Sequence, residues 1–171
     1  YFFTGMEKHS DYFNRDLYNN GVAFANAMVQ AMARLPHQSL VSAMNQLSNH
    51  DHSRFLTRTN MSEGRIATNG SISASEGINK NIFREAVLFQ MTWPGAPTVY
   101  YGDEAGLTGW TDPDNRRTYP WGKEDKDLIE FHRAVIKLRK DNSVLKNGSV
   151  MFLNEGTGLI SYGRFDGHNI M

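Results

Sequence analysis

Two short apolar runs, each cut off by a polar cluster, constrain this chain more than anything else in it. Leu40 to Leu47 stops at Ser48-Asn49-His50-Asp51, and Thr98-Val99-Tyr100-Tyr101 stops at Gly102-Asp103-Glu104. The spacing predicts a strand for each run, the second one rich in β-branched and aromatic residues and launched by Pro94-Gly95-Ala96-Pro97. Helical repeats flank both. Val22, Ala25, Met28, Val29 and Met32 recur at helical spacing from about Gly21 to Arg34, and Pro36 closes that run. Ile82, Phe83, Ala86, Val87 and Gln90 set the repeat of a second helix, from about Ile78 to Thr92, and Leu128, Phe131, Val135 and Leu138 that of a third. Alternation of helix and strand is α/β texture. Its strands normally lie parallel, with active groups at their carboxyl ends.

Two other stretches set the organisation. Glu63 to Gly77 has the Ser, Gly, Thr and Asn content of a loop, and a second long loop reaches Gly122 with Trp110 and Trp121 in it. Beyond Asn142 the texture changes to short alternating strands, Ser149–Leu153 and Leu159–Phe165, joined through Asn154 to Gly158. A domain boundary is therefore expected near Asn142, dividing the chain into 1–142 and 143–171. Both ends read as cuts through a longer chain, because Tyr1 is no initiator and Ile170-Met171 reads as a strand just beginning.

Charge and composition exclude several classes. Lys+Arg and Asp+Glu are both 18, so no basic face or tail marks a nucleic-acid partner. The longest apolar runs are far too short for a bilayer span. Cysteine is absent, which removes disulfides, thiolate metal sites and a cysteine nucleophile together. That suits a reducing cytoplasm, the compartment expected here, and is also compatible with a secreted bacterial enzyme.

Two clusters carry chemistry. In Asn49-His50-Asp51-His52-Ser53-Arg54, a carboxylate follows a buried strand, flanked by imidazoles and followed by a guanidinium. Such an Asp can orient sugar hydroxyls and stabilise positive charge on a stretching glycosidic bond, while Arg54 tunes nearby carboxylates. Spacing alone weighs this evenly against a strand-end turn in which Asp51 caps a helix. In the second cluster, Asp112 and Arg116 sit four apart in a turn-forming loop near Trp110 and Trp121. Carboxylate and guanidinium can grip vicinal hydroxyls beside an aromatic face; the plainer alternative is a surface ion pair.

Taken together, these segments resemble the alpha-amylase family of glycoside hydrolases (family 13), in its neopullulanase and cyclomaltodextrinase branch. Leu47-Ser48-Asn49-His50-Asp51 with Arg54 is similar to the family's block at the end of the seventh strand of a TIM (β/α)8 barrel. The segment from Pro94 to Glu104 resembles the eighth strand, and Asp112-Pro113-Asp114-Asn115-Arg116 the loop that holds glucose units. The tail from Leu145 resembles the start of an antiparallel β-sandwich domain. The resemblance implies that Asp51 is the transition-state-stabilising carboxylate and His50 the imidazole on the cleaved glucose. It makes Asn49 and Arg54 neighbours of the substrate, and Asp112 and Arg116 sugar-binding positions. Trp110 and Trp121 are added here as stacking residues.

The resemblance also implies what is missing. Nucleophile and general acid/base follow the fourth and fifth strands, upstream of Tyr1, so the chain alone is expected to hydrolyse nothing. The parent would be a retaining hydrolase of α-glucosidic bonds in maltodextrin, cyclodextrin or pullulan. No cofactor is required, although calcium is compatible with a full-length enzyme. Two strands cannot close a barrel, so the open edges are expected to meet the rest of the barrel or a second copy of the chain.

A non-catalytic sugar-binding or scaffold relative would have no use for Asp51, and a glucosyl transferase would use the same carboxylates. His50-Asp51-His52 as a metal site lacks further ligands and is the weaker reading. His9, His37, His132 and His168 read as surface or satisfied polar residues, and Met28, Met32, Met44 and Met91 as packing.

Overall fold

The structure is a computed structural model and describes residues 1–167 and 169–171. The expectation for His168 lies outside the described residues. After an N-terminal segment closed by a bridge between Met6 and Phe13 comes α1 (Gly21–Ala33), capped by the Asn20 side chain, which accepts from the Ala23 amide at 2.9 Å. Next come α2 (His37–Ser42) and the three-residue strand β1 (Met44–Gln46). Then α3 (Phe55–Arg58), α4 (Ile66–Asn69) and a 3-10 turn at Ile72–Ser75 lead into α5 (Lys80–Thr92). The strand β2 (Ala96–Thr98) follows, then a long loop with a 3-10 turn at Asp114–Arg116. Last are α6 (Lys126–Asp141), α7 (Ser143–Asn147) and the strands β3 (Ser149–Gly156) and β4 (Leu159–Phe165).

β1 and β2 pair in parallel, Asn45 opposite Pro97, with α5 as the intervening crossover. This is the βαβ arrangement expected of an α/β chain. The helix is fastened to both strands by one side chain: Gln90 Nε2 donates to the carbonyls of Asn45 at 2.9 Å and Thr98 at 2.8 Å. The core lies under this unit. Phe55, Leu56, Phe83, Ala86, Val87, Met91, Leu128 and Val135 bring the inner faces of α3, α5 and α6 together.

Two expectations are corrected. The run from Leu40 to Leu47 is not one strand, because its first three residues belong to α2 and only Met44–Gln46 is in the ladder. Pro36, at φ −56°, is the N-cap of α2, where its missing N–H costs the helix nothing. The second strand starts two residues early and its ladder ends at Thr98, leaving Val99 to Tyr101 outside it. Met44, expected in the packing, is exposed, whereas Met91 is buried.

The predicted tail strands form an antiparallel hairpin, with α7 inserted between Asn142 and the first of them. The hairpin docks on the helical layer. Phe24, Phe89, Trp93, Phe152 and Tyr162 form one cluster of ring contacts across the junction. Arg164 is buried there and donates to four backbone carbonyls, those of Thr92, Leu145, Gly148 and Ser149. Burial, and then Arg139, pushes its pKa down to about 10, still far above neutrality.

Candidate active site

The polar cluster after β1 forms a turn, residues 49–52, whose backbone is held from two sides. From within, Asn49 Oδ1 accepts from the amides of Asp51 at 2.9 Å and His52 at 3.0 Å. This is the local side-chain bonding that makes Asn favourable in turns. From outside, the loop 109–116 lies against it. Asn115 Nδ2 donates to the carbonyls of Asn49 at 3.0 Å and His52 at 2.7 Å. Arg116 Nε donates to the His50 carbonyl at 3.2 Å, and the Asp51 carbonyl accepts from the Thr111 hydroxyl and from the Asp112 amide at 3.3 Å. The close approach requires a glycine: a Cβ on Gly109 would stand 2.5 Å from the Asp114 carbonyl oxygen.

With its backbone fixed, the turn leaves two side chains free. Asp51 is 59% and His50 67% exposed, and His50 Nε2 stands 3.5 Å from Asp51 Oδ1. Asp112 and Arg116 pair beside them at 2.7 Å, both about half exposed. The four side chains that spacing placed in two separate clusters therefore lie on one rim. His52 turns the other way, half-buried, its ring 5.2 Å from and edge-on to that of His9. His9 Nδ1 in turn lies 2.9 Å from the Thr111 hydroxyl. Burial, then Arg58 and His9, pull the His52 pKa down, so this imidazole is neutral at pH 7.

Two expected site residues are corrected by burial. Arg54 has no exposed surface. Its Nη1 donates to Asp103 Oδ1 at 2.9 Å and the Tyr101 carbonyl at 2.7 Å, and its Nε to the Asn115 carbonyl at 2.9 Å. The guanidinium carbon also lies 4.5 Å and 4.9 Å from the ring centres of Tyr100 and Tyr101. It cannot touch substrate; it ties the two strand ends together beneath the rim. Trp110 is 1% exposed, its Nε1 donating to the Gly70 carbonyl and Ser73 hydroxyl, both at 3.1 Å. No face is left for a sugar. Trp121 is the reverse, 81% exposed with Tyr119 at 4.5 Å.

Asp103, Asp114, Asn115 and Arg117 were not singled out as site residues from the sequence. Burial raises the Asp103 pKa to about 6 while Arg54 and Ser48 pull the other way, so it remains a carboxylate at neutral pH. Burial pushes Asp114 up as well, but Arg117, Ser71 and the Trp110 amide more than offset it and leave the pKa lowered. Arg117 also bonds Ser71, latching the loop 63–77 onto the site loop. Asp114 and Asn115 are adjacent and both buried while Asp112 and Arg116 on either side are exposed, so spacing in the motif gave no signal for them.

Among the described residues, no three His, Asp or Glu side chains are grouped to hold a metal ion, and no helix is long and apolar enough to cross a membrane.

The family profile described as "Alpha amylase, catalytic domain" matches residues 6–143. The chain is 40% identical over 131 residues to an amylopullulanase of Thermoanaerobacter thermohydrosulfuricus, covering 77% of this chain and 9% of that protein. It is 36% identical over 151 residues to neopullulanase 2 of Thermoactinomyces vulgaris, covering 87% and 21%. Among solved structures, a debranching enzyme of Nostoc punctiforme superposes with a TM-score of 0.77 at 25% identity, covering 99% of this chain and 32% of that one. A cyclomaltodextrinase superposes with a TM-score of 0.65 at 34% identity, covering 81% and 22%. The chain thus spans a minor part of each relative's length, and the catalytic-domain profile covers most of it: it belongs to the alpha-amylase family.

Proposed function

We propose that this chain is the C-terminal part of the catalytic domain of a retaining α-glucan hydrolase. In this reading β1 and β2 are the seventh and eighth strands of a (β/α)8 barrel. The boundary falls near Asn142, and the hairpin over 143–171 opens a β-sandwich. The substrates are maltodextrin, cyclodextrin or pullulan, as the names of the relatives indicate.

One observation carries the reading: an exposed carboxylate, Asp51, stands on an immobilised turn beside an exposed Asp112–Arg116 pair. As a glycosidic bond stretches, the sugar ring gains positive charge. A carboxylate fixed nearby stabilises that charge more than it stabilises the neutral ground state. His50 donates to a hydroxyl of the same sugar, Asp112 and Arg116 grip hydroxyls of a neighbouring one, and Trp121 offers a stacking face. The nucleophile and general acid/base, two carboxyls about 5 Å apart in retaining enzymes, come from chain outside these residues. The chain by itself turns over nothing.

The test is Asp51→Asn in the full-length protein, assayed on maltodextrin. The expected result is a loss of about 100- to 1,000-fold in kcat with an unchanged unfolding midpoint. Near-normal turnover would remove Asp51 from the mechanism.

A further inference from the structure

Each of the four carbonyl oxygens of residues 49–52 accepts a hydrogen bond from the loop 111–116, and two of the four are held by a single nitrogen. Asn115 Nδ2 donates to Asn49 and His52, the residues on either side of His50-Asp51. We propose that Asn115 is a positioning residue for Asp51, fixing the backbone that aims the carboxylate while touching no substrate itself; the proposal rests on the catalytic reading of Asp51.

The chemistry of the side chain fits this task closely. Asn115 has no exposed surface, so its hydrogen bonds are not shared with water. Holding two carbonyls from one point requires two hydrogens on one atom. A primary amide has them, a hydroxyl has one and a carboxylate none. The orientation of the amide is settled by its neighbours, since the flipped form would set its oxygen against two carbonyl oxygens. Among the described residues the Oδ1 atom has no hydrogen-bond partner, so the amide's hydrogen bonds all run through its nitrogen. The residue's own carbonyl accepts from Arg54 Nε at 2.9 Å, and Arg54 is joined to Asp103 at the end of β2. Asn115 therefore links the turn after β1 to the buried ion pair after β2. Its neighbour Arg116 donates both to the His50 carbonyl and to Asp112. The loop that would hold a sugar is the same loop that holds the Asp51 backbone.

The experiment uses Asn115→Asp and Asn115→Ser in the full-length protein, each made with Asp51 intact and in the Asp51→Asn background. Asn115→Asp keeps the shape and removes both donors; Asn115→Ser keeps at most one. With Asp51 intact, kcat is expected to fall about 100-fold for Asn115→Asp and less for Asn115→Ser, with KM changed less than about threefold. In the Asp51→Asn background the same substitutions should change the residual rate less than about threefold, because the group they aim is already gone. Equal losses in both backgrounds, or a wild-type kcat for Asn115→Asp, would overturn the proposal. Amide hydrogen exchange at Asp51 and His52 gives a readout independent of catalysis. Faster exchange in either variant supports the holding role even where Asp51→Asn shows the catalytic reading to be wrong, and unchanged exchange rejects it.

Discussion

Asp51 and Asp103 occupy equivalent places, each in the polar cluster after a strand of the same parallel pair, and they differ in almost every physical respect. Asp51 is mostly exposed, and among the described residues only His50, at 3.5 Å, pairs with its carboxylate. Asp103 is buried and bonded to a guanidinium that is itself fully buried. The contrast separates two uses of a carboxylate. One is left accessible on a backbone held by hydrogen bonds, and the other helps to hold that backbone.

The largest effect should come from breaking the buried member. Asp103→Ala leaves the Arg54 charge without its counterion in a dry site, and removing one partner of such a pair typically costs about 3–5 kcal/mol. Equilibrium unfolding in urea should show a loss of that order. The carbonyls of Tyr101 and Asn115 still accept from Arg54, which favours the lower end. Asp51→Asn should leave the same curve unmoved. A stability loss of comparable size in both variants would erase the distinction between the two acids.

The tryptophans repeat the contrast within one loop. Trp110→Ala empties a buried site under the loop 63–77 and should cost about 3–5 kcal/mol of stability. Trp121→Ala removes an exposed ring, so its stability effect should stay within about 0.5 kcal/mol. Its expected consequence is instead weaker binding of a maltooligosaccharide, by about 1 kcal/mol in titration calorimetry, the scale of a ring-face contact. Unchanged affinity would leave Trp121 as surface, and the rim would then consist of His50, Asp51, Asp112 and Arg116 alone.

This pairing also marks how far the sequence could be read. Helical periodicity placed α1, α5 and α6 to within a few residues, since their apolar faces repeat over three turns or more. The polar clusters were legible because a carboxylate abruptly ending an apolar run is costly to bury and so informative. The short elements were not. In Leu40 to Leu47, the last three residues of α2 and the three of β1 sit in one mostly apolar run, and only Pro36 hinted at where a helix begins. Inside and outside were equally hidden in the loop 109–117. Asp112 with Arg116 and Asp114 with Arg117 are acid–base pairs at helical-turn spacings, yet the first is exposed and the second partly buried. Which pair faces the solvent depends on Ser71, which bonds Asp114 and Arg117 from elsewhere in the chain, and one-dimensional spacing carries no record of that.

The smallest effect should appear with pH, on the buried side of the comparison. His132 lies on α6, is almost wholly buried, and has Nδ1 2.8 Å from the Leu128 carbonyl. Burial lowers its pKa, more than the Leu128 bond and Glu104 raise it. A folded-state pKa below the ordinary value of 6.5 means that the unfolded chain binds the proton more readily. Stability from this group is therefore complete above pH 6.5 and is lost as pH falls from there through the folded pKa, with a slope of at most about 1.4 kcal/mol per pH unit. His52, also lowered, acts in the same direction. His132→Gln carries no titrating group and should flatten part of the fall in urea midpoint between about pH 7 and 5. A variant curve parallel to wild type across that window would mean that the imidazole takes up its proton over the same pH range folded and unfolded, so that burial on α6 does not hold it neutral.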